Sequence, residues 1–264
     1  MDSIQDHWIP HPEGRIFCRT WTPASASAHA PGAAPIVLFH DSLGCVDLWR
    51  EFPGHLAEAC ERRVIAYDRL GFGRSDPRPR RPSLDFVAEE AIRYFPQLRQ
   101  ELGLTRFVAM GHSVGGGMAI HCAALHADAC EALVTESAQV FAEDKTLASI
   151  REARAQFQEP DQVGRLAKYH GSKAGWVLDA WTENWLDPGF ARWSLADVLP
   201  QVACPVLALH GELDEYGSLR HPTSIGELAG GLSRVVILPA TGHVPHRERE
   251  QDVIQAMQGF LAPA

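Results

Sequence analysis

Six short stretches of this chain share one pattern: IVLFH (36–40), RVIAYD (63–68), RFVAMG (106–111), EALVTES (131–137), PVLALHG (205–211) and RVVILPA (234–240). Each is a continuous β-branched apolar run, not an alternation of apolar and polar residues. That is what a strand needs when both of its faces are covered. Helical stretches lie between them. Residues 85–103 place Phe86, Ala91, Phe95, Leu98 and Leu102 on one face, and Gly103 supplies a stop. Pro96 must kink that helix or mark its true boundary. Residues 114–126 and 250–262 read as further helices, and 8–21 as two short strands joined at Glu13-Gly14. Strand–helix alternation of this kind predicts the α/β class, with a doubly wound, mostly parallel sheet.

The rhythm breaks between Ala138 and Pro200, a helix-like segment with Trp176, Trp181, Trp185 and Trp193 and no convincing strand. So long a connection reads as a small helical cap over one sheet edge, dividing the chain into a core (1–137 and 201–264) and a cap (138–200). The Pro-rich 22–35 reads as a surface connection, and no internal repeat is evident. A formal net charge of −9 argues against nucleic acid as a partner. The arginines at 69, 74, 78, 80 and 81 form the only basic cluster, and its prolines mark it as a solvated loop. Six cysteines with no CxxC pair read as reduced, mostly buried thiols. The first thirty residues hold no apolar signal core, and no run approaches the length of a membrane span. A soluble, cytoplasmic protein is the expectation. Its oligomeric state is not legible.

One hydroxyl stands out in FVAMGHSVGGG (107–117), a stretch otherwise almost without polar side chains. Gly111-His112-Ser113-Val114-Gly115 fits G-x-S-x-G, with an apolar run before it and a helix after it. A strand that turns into a helix with almost no loop strains the corner residue. Bulky neighbours two positions away would collide, hence the glycines at 111 and 115. The hydroxyl is then held out at the sheet's carboxyl edge, where open α/β sheets bind ligands. The same turn aims the Val114 N–H, at a helix N-terminus, toward any oxygen that becomes negative nearby.

From about residue 10 onward the chain resembles the α/β-hydrolase family, a resemblance carried by this serine corner and two later motifs. That family orders its catalytic residues serine, acid, histidine, each after a successive strand. PVLALHGELDEYGS offers Asp214 at the family's position, with Glu212 and Glu215 as alternatives and Glu215 the more serious. RVVILPATGHVPH offers His243 in a Gly-His pair like the family's, with His246 as competitor. The chemistry is coherent. A serine hydroxyl needs a base near neutral pH, imidazole can take and return a proton there, and a carboxylate fixes its tautomer. By the same resemblance, HDSLGC (40–45) stands where the family has His-Gly. The Ser42 N–H would then be the second oxyanion donor beside Val114, or Leu43 if the loop is shifted by one.

Asp41 departs from that pattern. A carboxylate there would oppose a negative oxygen unless it points away or is paired, so an outward-facing loop residue is the simpler reading. Pointing inward, it would suit an amine, a hydroxyl or an ammonium group. YDRLGFGRSD (67–76) also matches the family and is assigned structure, with Gly71 and Gly73 letting that loop pass close under the site. Trp49 reads as core. Cys45 lacks the base a nucleophile needs. The thirteen histidines contain no HExxH or similar ligand spacing, so neither a metal nor a cofactor is expected.

The resemblance implies a serine hydrolase of the carboxylesterase type acting on a small or medium acyl substrate. C–C bond hydrolysis of dienone acids, enol-lactone opening, thioesterase and peptidase chemistry use the same residues and stay open. A ligand-binding module on the same scaffold is the reading from another class. Trp181 and Trp185, with Asp41 and Leu43, are the candidate substrate-pocket residues.

Overall fold

The computed structural model of the chain describes residues 3–24 and 33–262. Most of the Pro-rich connection expected at 22–35 lies outside them. Eight strands form one sheet: β1 (Ser3–Ile9), β2 (Ile16–Thr22), β3 (Ile36–Phe39), β4 (Val64–Tyr67), β5 (Phe107–His112), β6 (Cys130–Glu136), β7 (Val206–Gly211) and β8 (Ser233–Leu238). Their order is β1-β2-β4-β3-β5-β6-β7-β8. β1 and β2 pair antiparallel, β2 pairs antiparallel with β4, and every other pairing is parallel. The doubly wound, mostly parallel sheet is therefore present, with the six apolar runs as its six parallel-paired members.

Successive residues of each inner strand go to opposite faces. Val37, Phe39, Ile65, Ala109 and Leu133 join one apolar cluster, while Ile36, Leu38, Val64, Val108 and Met110 join the other. Helices α1 (Phe52–Cys60) and α8 (Glu250–Leu261) cover the second cluster, and α4 (Val114–Leu125) covers the first. The absence of alternation in the sequence follows from this double coverage.

The helix expected over 85–103 is three pieces: α2 (Phe86–Glu89), a π turn (Glu90–Tyr94) and α3 (Phe95–Glu101). The wider turn places Pro96 in the first turn of α3, where its missing N–H leaves no hydrogen bond unmade. Pro96 is thus a boundary, and the expected apolar face survives across it. Phe86, Ala91, Phe95 and Leu98 are buried. Between β6 and β7 stand α5 (Asp144–Gln156), α6 (Pro160–His170) and α7 (Ala174–Trp185). A lone bridge, Phe141 to Ser194, ties the two ends of this helical segment together.

The solvated-loop reading of the arginine cluster is wrong at its first member. Arg69 is only 7% exposed. It lies two residues past the end of β4, and its side chain enters the interior, stacking its guanidinium 4.2 Å from the Phe72 ring centre. Arg78 pairs with Glu89 at 3.1 Å, whereas Arg74, Arg80 and Arg81 are exposed as expected. No helix among the described residues is long and apolar enough to cross a membrane.

Helix α4 lies unusually close to the strands beneath it. A Cβ on Gly115 would sit 2.2 Å from the Phe39 carbonyl oxygen, and one on Gly111 would sit 2.1 Å from the Gly115 carbonyl oxygen. These are backbone atoms and cannot step aside. Gly115→Ala is expected to lower stability by about 1–3 kcal/mol in urea unfolding. Gly164→Ala, on α6 with nothing within 4 Å of the new methyl, should be neutral or slightly stabilising.

Candidate functional site

The strand order reverses at β3, with β4 on one side and β5 on the other, which opens a crevice at the carboxyl ends of the sheet. Five loops converge there. The loop after β5 is hardly a loop: Ser113 follows His112 directly, with φ 56° and ψ −127°, and α4 begins at the next residue. A non-glycine residue in that region is strained, and the surrounding contacts hold it there. The Ser113 N–H donates to the Glu136 carbonyl at 2.9 Å.

The structure brings Ser113, His243 and Asp214 together. Ser113 Oγ lies 3.0 Å from His243 Nε2, and His243 Nδ1 donates to Asp214 Oδ1 and Oδ2 at 2.8 and 2.9 Å. All three residues are buried. Burial alone would push the His243 imidazole toward neutrality, but the hydrogen bond and charge of Asp214, with the charges of Glu215 and Asp41, outweigh it. The net shift is above the usual 6.5. Burial works the other way on Asp214, yet hydrogen bonding to His243 and to the Tyr216 N–H holds its carboxyl down at about 2. A histidine whose basicity is raised by a permanent carboxylate is equipped to take a hydroxyl proton.

The alternatives take other positions. Glu215 Oε2 accepts the main-chain N–H of His243 at 3.2 Å, and Glu212 Oε2 accepts that of Ala240 at 3.0 Å. His246 is turned away from Ser113 and bonds Glu136 through its N–H and its Nδ1, both at 2.6 Å. Next to it, His112 Nε2 donates to the His243 carbonyl at 2.8 Å, and burial holds His112 down at about 4. His112, Glu136 and His246 are the residues, among those described, that could jointly hold a metal ion. The Glu136 carboxylate is already taken by His246, so the cluster serves to anchor the His243 loop. It was invisible in the sequence because its members come from three separate segments. Cys45 is buried and its thiol is pushed up by burial and by Asp68, which leaves it a poor nucleophile. Trp49 is buried against Phe52 and His246, as core.

A cavity of about 170 Å³ opens beside Ser113 and His243. Asp41, Ser42, Leu43, Trp181 and Trp185 all border it, which places every expected pocket residue on one surface. The outward-facing reading of Asp41 does not hold. Asp41 is half-buried and borders both this cavity and a smaller one of about 30 Å³ behind it, because the turn at 41–44 folds over Gly44. Neither the Ser42 nor the Val114 N–H has an acceptor among the described residues. The Leu43 carbonyl accepts from His170 Nε2 at 2.9 Å.

Five further lining residues escaped the sequence reading: Gln139, Ile150, Glu215 as a wall, Tyr216 and Val244. Gln139 Oε1 is 3.2 Å from Ser113 Oγ, so the single hydroxyl proton can go to Gln139 or to His243, one at a time. The available signal was a glutamine just beyond an apolar strand, at the sheet edge where ligands bind.

Comparison with known proteins agrees with this architecture. The chain is 28% identical over 120 residues to a proline iminopeptidase of Lactobacillus delbrueckii subsp. bulgaricus, covering 46% of this chain and 39% of that protein. The match thus spans about two fifths of that relative's length. Among solved structures, 2-hydroxy-6-oxo-6-phenylhexa-2,4-dienoate hydrolase from Rhodococcus sp. strain RHA1 superposes with TM-score 0.82 at 15% identity, covering 99% of this chain and 100% of that one. A thermophilic esterase from Thermogutta terrifontis superposes with TM-score 0.72 at 21% identity, covering 97% and 98%. The family model described as alpha/beta hydrolase fold matches residues 34–250, and with the strand order, the serine corner and the hydrogen-bonded Ser113–His243–Asp214 chain already in place, the protein belongs to the alpha/beta hydrolase fold family.

Proposed function

We propose that this protein is a serine hydrolase that cleaves ester-type bonds of small acyl substrates through an acyl-enzyme. The observation that carries the reading is the unbroken chain from Ser113 Oγ through His243 to Asp214, at 3.0 and 2.8 Å. Ser113 Oγ attacks the acyl carbonyl while His243 Nε2 takes its proton, and Asp214 stabilises the resulting imidazolium. The N–H groups of Ser42 and Val114 receive the oxyanion, each such donor being worth about 10² to 10³ in rate. His243 returns the proton to the departing alkoxide. A water deprotonated by His243 then frees the acid. The chain's own residues supply every role.

The cavity argues for modest substrates. Its volume of about 170 Å³ is close to the roughly 150 Å³ that accepts benzene, and Trp181 and Trp185 wall it with apolar surface. We read residues 138–200, which contribute both tryptophans, as a cap that sets specificity. No lysine or arginine borders the cavity among the described residues, while Asp41 and Glu215 both do. An anionic dienone acid therefore fits poorly, which ranks the C–C reading below ester hydrolysis. Those carboxylates favour one second reading, hydrolysis of an amide beside a free amine, in keeping with the iminopeptidase relative. The soluble, cytoplasmic setting and a small-molecule partner remain part of the proposal, with the net charge of −9 weighing against nucleic acid.

A fluorophosphonate probe should label Ser113 alone, and Ser113→Ala should cut turnover of p-nitrophenyl butyrate by about 10⁴-fold or more. A folded Ser113→Ala variant that keeps wild-type turnover would falsify the reading, and an inert, unlabelled wild type would favour the binding-module alternative. Because His243 must be neutral to act and its pKa is raised, activity should rise with pH through a midpoint above 6.5. Asp214→Asn removes the largest upward influence and leaves burial opposed only by the charges of Glu215 and Asp41, so the midpoint should fall relative to wild type and kcat should drop about 10⁴-fold. Acyl chains of two to four carbons (about the cavity's capacity) should outperform decanoyl esters, and Trp185→Ala should narrow that difference.

A further inference from the structure

The loop assigned only a structural part in the sequence reaches the site at one atom. The Asp41 carbonyl oxygen accepts three donors: Gly44 N–H at 3.2 Å, His40 Nδ1 at 2.8 Å and Arg69 Nη2 at 2.7 Å. Arg69 also sends its main-chain N–H and its Nε–H to His40 Nε2, at 3.1 and 3.3 Å. His40 therefore carries its proton on Nδ1, the tautomer that donates to Asp41. Burial and the Arg69 charge hold His40 well below its usual pKa, in keeping with a neutral ring.

A trans peptide unit points its C=O and its N–H in opposite directions, and no described peptide bond is cis. Fixing the Asp41 oxygen toward Arg69 turns the Ser42 N–H the other way, and Ser42 borders the cavity together with Ser113. A cation on the carbonyl also polarises the unit, which makes its N–H a stronger donor. The neighbouring candidate has no such support. The Leu43 N–H belongs to a peptide whose carbonyl, that of Ser42, meets no donor among the described residues.

We infer that Arg69 is a positioning residue whose guanidinium, on the Asp41 carbonyl at 2.7 Å, aligns the Asp41–Ser42 peptide as an oxyanion donor. Arg69 does not border the cavity beside Ser113 and acts on the reaction through Ser42. The inference rests on the hydrolase reading above, and it selects Ser42 over Leu43.

Removing Arg69 alone strands the buried Glu90, whose charge faces it and whose Oε1 accepts the Tyr67 hydroxyl at 2.7 Å. The test therefore compares Arg69→Lys, Arg69→Met and the double variant Arg69→Met/Glu90→Gln with wild type on p-nitrophenyl butyrate. In both methionine variants kcat should fall about 10- to 100-fold, less than for outright loss of a donor. KM should stay within about threefold, and the midpoint of the acid limb, which reports His243, should not move. Arg69→Lys should lose less, since it keeps a cation in reach. The double variant should melt nearer to wild type than Arg69→Met and recover no kcat, which separates alignment from folding. Wild-type kcat in the folded double variant, a loss confined to KM, or a shifted acid limb would each overturn the inference while leaving the hydrolase reading intact. A wild-type enzyme that is inert toward the ester and unlabelled by fluorophosphonate removes the hydrolase reading, and this inference with it.

Discussion

Everything at this site depends on how closely helix α4 can lie on the end of β5. The corner at Ser113 adopts φ 56°, and it can do so only because the Gly111 and Gly115 backbones touch where side chains would collide. Glycine in a packed helix costs stability, of order 1 kcal/mol relative to alanine. What the chain gains is a hydroxyl at a fixed point on the sheet's carboxyl edge, with the first N–H of α4 beside it.

A fixed oxygen is of use only if its partners arrive with equal accuracy, and they come from loops far apart in sequence. Each loop is held by buried polar groups of another segment. His112, next to the serine, holds the His243 carbonyl, and Glu136 at the end of β6 holds the N–H and ring of His246. Arg69 and His40 hold the turn after β3. Buried polar groups stabilise little on average and are expensive when left unpaired. Their contribution here is positional: each has one low-energy arrangement, and that arrangement sets the geometry of a loop.

The sequence carried the parts that depend on local pattern. Ser113, Asp214 and His243 each stand just beyond an apolar run; the glycine-flanked corner marked Ser113, and the resemblance to the family singled out Asp214 and His243 from Glu212, Glu215 and His246. Trp181 and Trp185 were legible as aromatics at helical spacing, though that spacing could not separate cavity wall from packing. Gln139, Glu136 and Arg69 were not legible in the same way, because each is defined by a partner that only folding brings near. Composition even misled at Arg69. Prolines and arginines at 74–81 describe a solvated loop correctly, but Arg69, two residues past the end of a central strand, belongs to the interior. Asp41 was misplaced for a similar reason, since a four-residue turn over Gly44 decides which way it faces.

The acid loop extends the same logic to the helical segment between β6 and β7. Lys145 Nζ donates to the Asp214 carbonyl at 2.5 Å and to that of Gly217 at 3.2 Å. Thr146 Oγ1 and Ser149 Oγ donate to the carbonyls of Tyr216 and Glu215 at 2.6 and 2.7 Å, and Glu143 accepts from Ser218. The first turns of α5 are thus fastened to the backbone that carries Asp214 and two walls of the cavity. Displacing α5 would have to break these bonds and would disturb the carboxylate that orients His243. The helical segment that lines the cavity and the residue that sets the histidine's charge are therefore joined by one set of hydrogen bonds, so reshaping the pocket through α5 acts on the chemistry as well as on the fit.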